Sequence, residues 1–255
     1  MKSNGKCSPS LASDAHVHVG YFLRAGFREP FYYSPRRIVG ILKRCGISEF
    51  IFSSTDCFAD VSLEDIFREA REVIRLFGAG AHPFFWVSQH AIEKDPDLGF
   101  LPPWYEGLKL HGGEFPWLER PEELRRVLAI AEERGFRVQI HTDSAEQNVL
   151  RYLPFCQERP RVHFDLAHCK SVSDVAQGAQ SAENLWFDIA FAAKGTIEQL
   201  LQAGVPEKKI LFGSDLPVQQ RFCEGVRLTE YLRKQLAQVH SPAILFNNFK
   251  EFLAP

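Results

Sequence analysis

Strand-like and helix-like patterns of hydrophobic and polar residues alternate along the whole chain. The first apolar segment lies near residues 12–19, and a helix signal follows at Ser34-Pro35, where a serine N-cap precedes a proline at the first helical position. Seven more strand-like segments are predicted at 49–55, 79–84, 107–111, 136–142, 161–168, 184–191 and 209–215. Helices are predicted at 62–77, 121–134, 145–158, 195–203, 224–238 and 242–253, with one more from Ser173, and no element between 88 and 105.

This alternation predicts an α/β fold. Strands that are separated by helices form a parallel sheet, and eight repeats in one chain favour a closed (β/α)8 TIM barrel over a doubly wound sheet. The chain has 255 residues, 45% of them hydrophobic, which is enough for one large core. No linker or shift in composition divides it, so we expect residues 1–255 to form a single domain.

The segment Asp14-Ala15-His16-Val17-His18 lies in the first predicted strand. Because alternate residues of a strand share a face, Asp14, His16 and His18 are expected to point the same way, with the two imidazoles about 7 Å apart along the backbone. Neutral imidazole is the commonest protein ligand for zinc and similar ions. A single His-x-His pair is weak support for a metal site, and the later strands supply the rest.

Further polar residues fall where the other predicted strands end. In a barrel the active site collects at the carboxyl ends of the strands, so these residues are expected to meet at one mouth. They are His82 at the third strand, Lys109 and His111 at the fourth, His141 at the fifth, His168 at the sixth, Asp188 at the seventh and Asp215 at the eighth. Asp188 is also consistent with a simple loop cap.

Several imidazoles and a carboxylate together make a site suited to a divalent metal. Zn²⁺ is the best match to this mixture of nitrogen and oxygen ligands, and Mn²⁺, Fe²⁺ or Co²⁺ also fits. A catalytic site leaves one position open for water, whose pKa the ion lowers towards ~7. A neighbouring carboxylate can then accept the proton.

Five short motifs resemble the amidohydrolase superfamily. They are DAHVHVG near the amino terminus, GLKLHGG at the fourth strand, IHTD at the fifth, AHC at the sixth and FGSDLP at the eighth. In order and spacing they are most similar to the amidohydrolase-related branch of metal-dependent TIM-barrel hydrolases, over nearly the whole chain. The resemblance implies a barrel that holds one or two metal ions.

The resemblance also implies roles for individual residues. His16, His18, His141 and Asp215 match the ligands of the first metal, and Asp215 matches the group that orients or deprotonates the attacking water. His168 matches a residue that acts on the substrate in relatives with one ion and binds the second ion in relatives with two.

Three residues remain as candidates for substrate contact, with alternatives. Lys109 matches a lysine that some relatives carbamylate to bridge two ions, or it holds an anionic group of the substrate. His111 contacts the substrate or replaces the lysine as a ligand. His82 is a candidate substrate-binding residue, with a packed, supporting role as the alternative.

The functions that fit are a hydrolase and a decarboxylase. In the first, activated water attacks an amide, ester or lactone carbonyl; in the second, the same scaffold decarboxylates an aromatic or unsaturated acid. A nuclease of the same superfamily is disfavoured, because Lys109 stands where such an enzyme uses a glutamate. A binding barrel without catalysis has no direct support.

Charge and composition restrict the partners. A net charge of −2 and a pI of about 6.5 argue against nucleic acid and anionic membranes. No apolar run reaches the ~18 residues that span a bilayer, and the amino terminus lacks the apolar core of a signal peptide. The six scattered cysteines are expected to be reduced. We therefore expect a cytoplasmic protein with a small-molecule substrate. Aromatic residues predicted on loops at the catalytic end, such as Tyr32 and Trp104, are compatible with a homo-oligomer.

Overall fold

A nine-stranded sheet forms the centre of the part of the chain that the structure describes. The computed structural model describes residues 11–22, 31–55, 61–113, 115–143, 147–221 and 227–255. The strands are β1 (Ala12–Phe22), β2 (Phe31–Tyr33), β3 (Ile47–Ser54), β4 (Ala81–Trp86), β5 (Gly107–Leu110), β6 (Arg137–His141), β7 (Phe164–Ala167), β8 (Leu185–Asp188) and β9 (Ile210–Leu211). Their order in the sheet is β2-β1-β3-β4-β5-β6-β7-β8-β9.

All neighbouring strands from β1 and β3 through β9 are parallel, and β2 alone pairs with β1 in the antiparallel sense. Backbone hydrogen bonds also join the segment after β9 to β1. The N–H of Ala15 donates to the carbonyl of Phe212 (2.8 Å), and the N–H of Asp215 donates to the carbonyl of His16 (2.7 Å). The sheet is therefore strongly curled, and the predicted α/β fold with a parallel sheet is confirmed.

Helices connect the parallel strands and pack on the sheet. They are α1 (Pro35–Arg44), α2 (Leu63–Phe77), α3 (Gln89–Lys94), α4 (Pro121–Arg134), α5 (Val149–Gln157), α6 (Val172–Ser181), α7 (Thr196–Gln202), α8 (Leu228–Leu236) and α9 (Asn248–Leu253). The predicted start of α1 is confirmed, because the Ser34 side chain accepts a hydrogen bond from the N–H of Arg37 and Pro35 opens the helix. Among the described residues, no helix is long and apolar enough to cross a membrane.

Two elements differ from the prediction. The segment 88–105 contains the short helix α3, which begins where the Ser88 side chain caps the N–H of Ala91 (3.2 Å). The strand β2 was not predicted, because it pairs as a local hairpin with the extended end of β1 and interrupts the alternation of strands and helices.

The amino ends of the strands are closed by the carboxyl-terminal helix. Its residues Phe249 and Phe252 are buried against interior side chains of five strands. Those strand residues are Ala15, Ile51, Phe84, Trp186 and Leu211. This apolar cluster fills one end of the sheet, so polar side chains of the interior are left at the carboxyl ends.

Candidate metal centre

The first strand carries a bulge at the histidine pair. The pairing of β1 with β3 shifts register between Asp14 and Val17, and Ala15 packs into the apolar interior. The expectation that Asp14, His16 and His18 simply alternate along one face is therefore wrong, because an extra residue is inserted there. The rings of His16 and His18 nevertheless meet edge to face, with centroids 5.0 Å apart.

Asp14 has a structural environment of its own. One oxygen of its buried carboxylate accepts hydrogen bonds from the N–H groups of His16 (3.1 Å) and Ser214 (2.9 Å). These contacts fasten the bulge to the segment that follows β9, and so help to fix the backbone from which His16 projects.

Asp215 meets both histidines of the first strand. Its Oδ1 lies 3.0 Å from His18 Nε2 and 3.5 Å from His16 Nε2. The backbone of Asp215 has φ +54, a conformation that is uncommon outside glycine and that here turns the carboxylate towards the pair. The ligand atoms of these three buried residues all lie within 4.8 Å of one another.

The Nδ1 atoms of three histidines each contact a carbonyl, carboxylate or hydroxyl oxygen. His168 Nδ1 lies 3.1 Å from the carbonyl oxygen of Ala190, which can only accept, so this nitrogen carries the proton when the ring is neutral. The Nδ1 of His16 lies 2.9 Å from Asp188 Oδ2, and that of His18 lies 2.8 Å from Ser53 Oγ. This pattern turns the Nε2 atoms inward, as in metal sites whose histidines are oriented by outer hydrogen bonds.

A second group of potential ligands shares His16 with the first. It consists of His16, His168 and Asp188, whose ligand atoms again lie within 4.8 Å of one another. His168 follows β7 directly and is buried, with φ +83. The two groups overlap at His16, but Asp188 is engaged by the N–H groups of Ala190 and His168 and by His16 Nδ1, so the number of ions stays a prediction.

His141 lies beside these groups rather than within them. Its Nδ1 is 2.9 Å from His168 Nε2, and its Nε2 is 2.8 Å from Asp143 Oδ1. The structure brings His141 to the centre, and its role as a ligand stays a prediction.

Lys109 is fully buried at the centre of the site. Its Nζ lies 3.0 Å from His16 Nε2, the nitrogen that also faces Asp215. Burial lowers the pKa of the Lys109 amine, while the surrounding carboxylates, led by Asp188, raise it. An unmodified ammonium here competes with a cation for the same imidazole.

His111 follows β5 and forms part of an aromatic stack. Its ring lies between Trp86 and His141, with centroid distances of 5.3 and 3.9 Å and interplanar angles of 18° and 23°. Its Nδ1 accepts a hydrogen bond from the N–H of Gly113 (3.0 Å). The three rings therefore stack on one another in a column that ends beside His168.

His82 is not brought to this cluster. The prediction that the third strand ends near His82 is wrong, because β4 continues through Pro83 to Trp86 and His82 is its second residue. The His82 ring packs against Phe249 at the amino ends of the strands (5.7 Å), and its Nδ1 lies 2.8 Å from Glu106. Trp86, at the opposite end of the same strand, lies beside the cluster instead.

The electrostatics of the cluster favour neutral imidazoles. Burial, with a further contribution from Lys109, lowers the pKa of His16 to about 3. Burial likewise lowers the pKa of His18, and it lowers that of His141 to about 4. Unprotonated nitrogen is the form that binds a metal.

The residues present fit a divalent cation. Asp215 Oδ1 is buried, and no hydrogen bond of good geometry reaches it from the residues described. Burial opposes ionisation of Asp215, but the imidazoles of His16 and His18 hold its pKa below the usual value, so the group is a carboxylate. An anionic oxygen that faces two imidazole nitrogens is a suitable donor set for zinc.

A family model described as Amidohydrolase matches residues 91–244, more than half of the chain. The chain belongs to the amidohydrolase family. The resemblance inferred from the five motifs is therefore confirmed. A comparison with curated protein sequences finds no match.

Solved structures of the amidohydrolase superfamily have the same fold. A zinc-bound amidohydrolase from Burkholderia multivorans is 12% identical with a TM-score of 0.69, over 96% of this chain and 100% of that one. A probable 2-pyrone-4,6-dicarboxylic acid hydrolase from Acinetobacter baumannii, with citric acid bound, is 18% identical with a TM-score of 0.66, over 95% and 98%. A 2,6-dihydroxybenzoate decarboxylase from Rhizobium is 12% identical with a TM-score of 0.58, over 96% and 98%.

Sequence reasoning missed the supporting roles of Ser53 and Asp188. Ser53 lies on β3, the neighbour of β1, and the signal for it is a polar residue two positions after the interior residue Ile51. Asp188 is among the polar residues predicted at the strand ends, with a loop cap as the alternative, but no supporting role is predicted for it. Its signal is a buried acidic residue at the last position of an otherwise apolar strand, β8.

Proposed function

We propose that this amidohydrolase is a metal-dependent hydrolase that acts on an amide, ester or lactone of a small molecule. The observation that carries the proposal is the convergence of His16 Nε2, His18 Nε2 and Asp215 Oδ1 in one buried centre. From the part of the chain that the structure describes, no hydrogen bond of good geometry reaches this oxygen. These three residues are the proposed ligands, with His141 and His168 beside them for the same ion or a second one. The nitrogen-rich donor set favours zinc over manganese, iron or cobalt.

We further propose that residues 1–255 form one domain, a closed (β/α)8 barrel. Support comes from the hydrogen bonds that connect the segment 212–216 to β1, including that from the N–H of His18 to the carbonyl of Leu216 (2.6 Å). A parallel bridge between Val17 and Leu216 lies at the same place. In such a barrel the cluster lies at the carboxyl ends of the strands, where barrel enzymes have their active sites.

A bound divalent ion supplies Lewis-acid polarisation and lowers the pKa of water. The ionised carboxylate of Asp215 then accepts the proton of the attacking water. Neutral His168 is not a donor at Nε2, because its proton is on Nδ1 against Ala190. The Nζ of Lys109 is therefore the better group to stabilise the developing oxyanion, if its amine is unmodified.

Two states of Lys109 remain alternatives. Its neutral amine can react with CO₂ to form a carbamate and release a proton. An anionic ligand then stands near His16 in place of the lysine ammonium. Alternatively, the ammonium binds an anionic group of the substrate. Carbon NMR of protein loaded with zinc and isotope-labelled bicarbonate distinguishes the carbamate from the ammonium. A carbamate gives a carbonyl signal that is absent from Lys109→Gln, whereas the ammonium gives no such signal.

The second candidate function is decarboxylation of an aromatic acid. The stack of Trp86, His111 and His141 supports it, because aromatic ring edges beside a buried lysine suit the ring and the charge of an aromatic carboxylate. A superfamily member with the same fold is a decarboxylase.

Zinc-loaded protein assayed against panels of esters, lactones, amides and aromatic acids tests both functions. We expect hydrolysis of at least one ester, lactone or amide, and we expect Asp215→Asn to lose it. Release of CO₂ without hydrolysis establishes the decarboxylase instead. Retention of activity after zinc is removed and after Asp215→Asn contradicts both functions.

A further inference from the structure

Asp188 contacts both histidines of the second ligand group without being needed by the proposed reaction. It is the last residue of β8 and is fully buried. Its Oδ1 accepts hydrogen bonds from the N–H groups of Ala190 (2.8 Å) and His168 (3.3 Å), and its Oδ2 lies 2.9 Å from His16 Nδ1. One side chain thus links β1 to the ends of β7 and β8.

The partners of Asp188 determine which of its contacts are donors. Two backbone N–H groups can only donate, so Oδ1 must accept, and an ionised carboxylate then offers a second acceptor, Oδ2, to His16. A proton must therefore be on His16 Nδ1, which leaves the lone pair on Nε2, the atom that faces Asp215 and Lys109.

We propose that Asp188 is a positioning residue that fixes His16 in the Nδ1–H tautomer and so keeps Nε2 available as a metal ligand. This inference rests on the proposed metal-dependent function. Asp188 acts through His16 and through the backbone of His168, so it orients the imidazole at which the two ligand groups meet.

Other buried side chains hold Asp188 in place. The N–H of Asp188 donates to Asp165 Oδ1 (3.0 Å). The Nε2 of Gln139 donates both to Asp165 Oδ2 and to the carbonyl of Ala15, at 2.8 Å each. The chain of hydrogen bonds therefore begins at Ala15 and returns to its neighbour His16 through β6, β7 and β8. Such a network, once satisfied, specifies one arrangement of a polar interior.

Gly213 gives independent support for this arrangement. A Cβ at this position would lie 3.0 Å from the Cγ of Asp188 and 3.0 Å from the Cβ of His16. A side chain at this position would crowd both residues, so at least one of them would have to shift. A glycine in the segment that joins β9 to β1 thus accommodates the close approach of Asp188 to His16.

The substitution Asp188→Asn tests the proposal because it preserves the size of the side chain. The amide oxygen of the asparagine still accepts the hydrogen bonds from the N–H groups of Ala190 and His168. The amide nitrogen, which is a donor, then faces His16 Nδ1. The imidazole must then accept at Nδ1 and carry its proton on Nε2, where it blocks the metal. We expect the zinc affinity, measured by calorimetry, to fall about 10- to 100-fold.

Nitrogen NMR of isotope-labelled histidine in the metal-free protein reports the tautomer of His16. A purely structural role of Asp188 would leave this tautomer unchanged in the variant. We expect His16 to be the Nδ1–H tautomer in the wild type and the Nε2–H tautomer in Asp188→Asn. Asp97→Asn, the same substitution at an exposed site, is the control and should change neither measurement.

Two outcomes would overturn the proposal. One is an Nε2–H tautomer of His16 in the metal-free wild type, which needs no variant to fold. The other is a folded Asp188→Asn protein with unchanged His16 tautomer and zinc affinity. If the wild type itself binds no zinc, the proposed function fails, while the tautomer measurement still decides the role of Asp188.

Discussion

Replacing Asp215 by asparagine should remove most of the stabilisation that zinc gives to the folded protein. Asp215 is the only carboxylate in the group that includes both His16 and His18, and its buried Oδ1 has no hydrogen bond of good geometry from the described residues. An amide keeps the shape but supplies no negative charge. The change therefore isolates the contribution of the charge to metal binding.

The magnitude follows from linkage between binding and folding. Zinc at 100 times its Kd stabilises the native state by about 2.7 kcal/mol. For a chain of this size each kcal/mol raises Tm by roughly 2–4 °C, so the wild type should gain about 5–10 °C. If the variant binds ~100-fold more weakly, the same zinc concentration supplies only about 0.4 kcal/mol, or roughly 1 °C.

Differential scanning calorimetry of chelator-treated and zinc-loaded protein measures both shifts. Asp97→Asn is again the matched control and should keep the full gain. A wild-type gain that Asp215→Asn retains in full would refute the reasoning, because the carboxylate would then take no part in holding the ion.

Three further predictions concern other parts of the chain. Burial raises the pKa of Tyr152, whose hydroxyl lacks a hydrogen-bond partner among the described residues. The free energy of unfolding should therefore be unaffected by this group below the unfolded pKa of about 10 and should fall as the pH rises above it. Urea unfolding between pH ~9 and ~11 measures how steeply the free energy of unfolding falls with pH, and Tyr152→Phe should make this slope shallower by up to about 1.4 kcal/mol per pH unit. The same slope in the wild type and the variant would contradict the prediction. Asn184→Ala should cost about 1–3 kcal/mol, because the Asn184 amide lies 3.0 Å from the carbonyls of Cys156, Arg159 and Val162; a denaturation midpoint like that of the wild type would contradict this. His82→Gln should leave zinc affinity unchanged in calorimetry, since His82 lies at the opposite end of β4, and a tenfold loss would show that the placement is wrong.

The sequence predicted the sheet and most of the cluster because strand ends are local features. His168 and Asp215 each follow a mostly apolar strand segment, and a parallel sheet brings such ends together. The family resemblance added that His141 belongs nearby. These are the residues whose position depends on strand order alone.

Other features depend on contacts between distant segments and left no local signal. The bulge at Ala15 is set by pairing with β3, while strict alternation was the only pattern that the sequence offered. The sequence predicts a strand at 79–84 with His82 near its end, whereas β4 continues through Pro83 to Trp86 and leaves His82 near its amino end. The link from Asp188 to His16 joins residues 172 positions apart and is accommodated by the small size of Gly213.

The central claim is that distant residues hold one divalent cation at the carboxyl ends of the strands. Anomalous diffraction at the zinc absorption edge, from crystals of zinc-loaded protein, tests it most directly. We predict a peak about 2.0–2.2 Å from the Nε2 atoms of His16 and His18 and from a carboxylate oxygen of Asp215. A map without zinc at these atoms, or with zinc only at surface residues, would contradict the account.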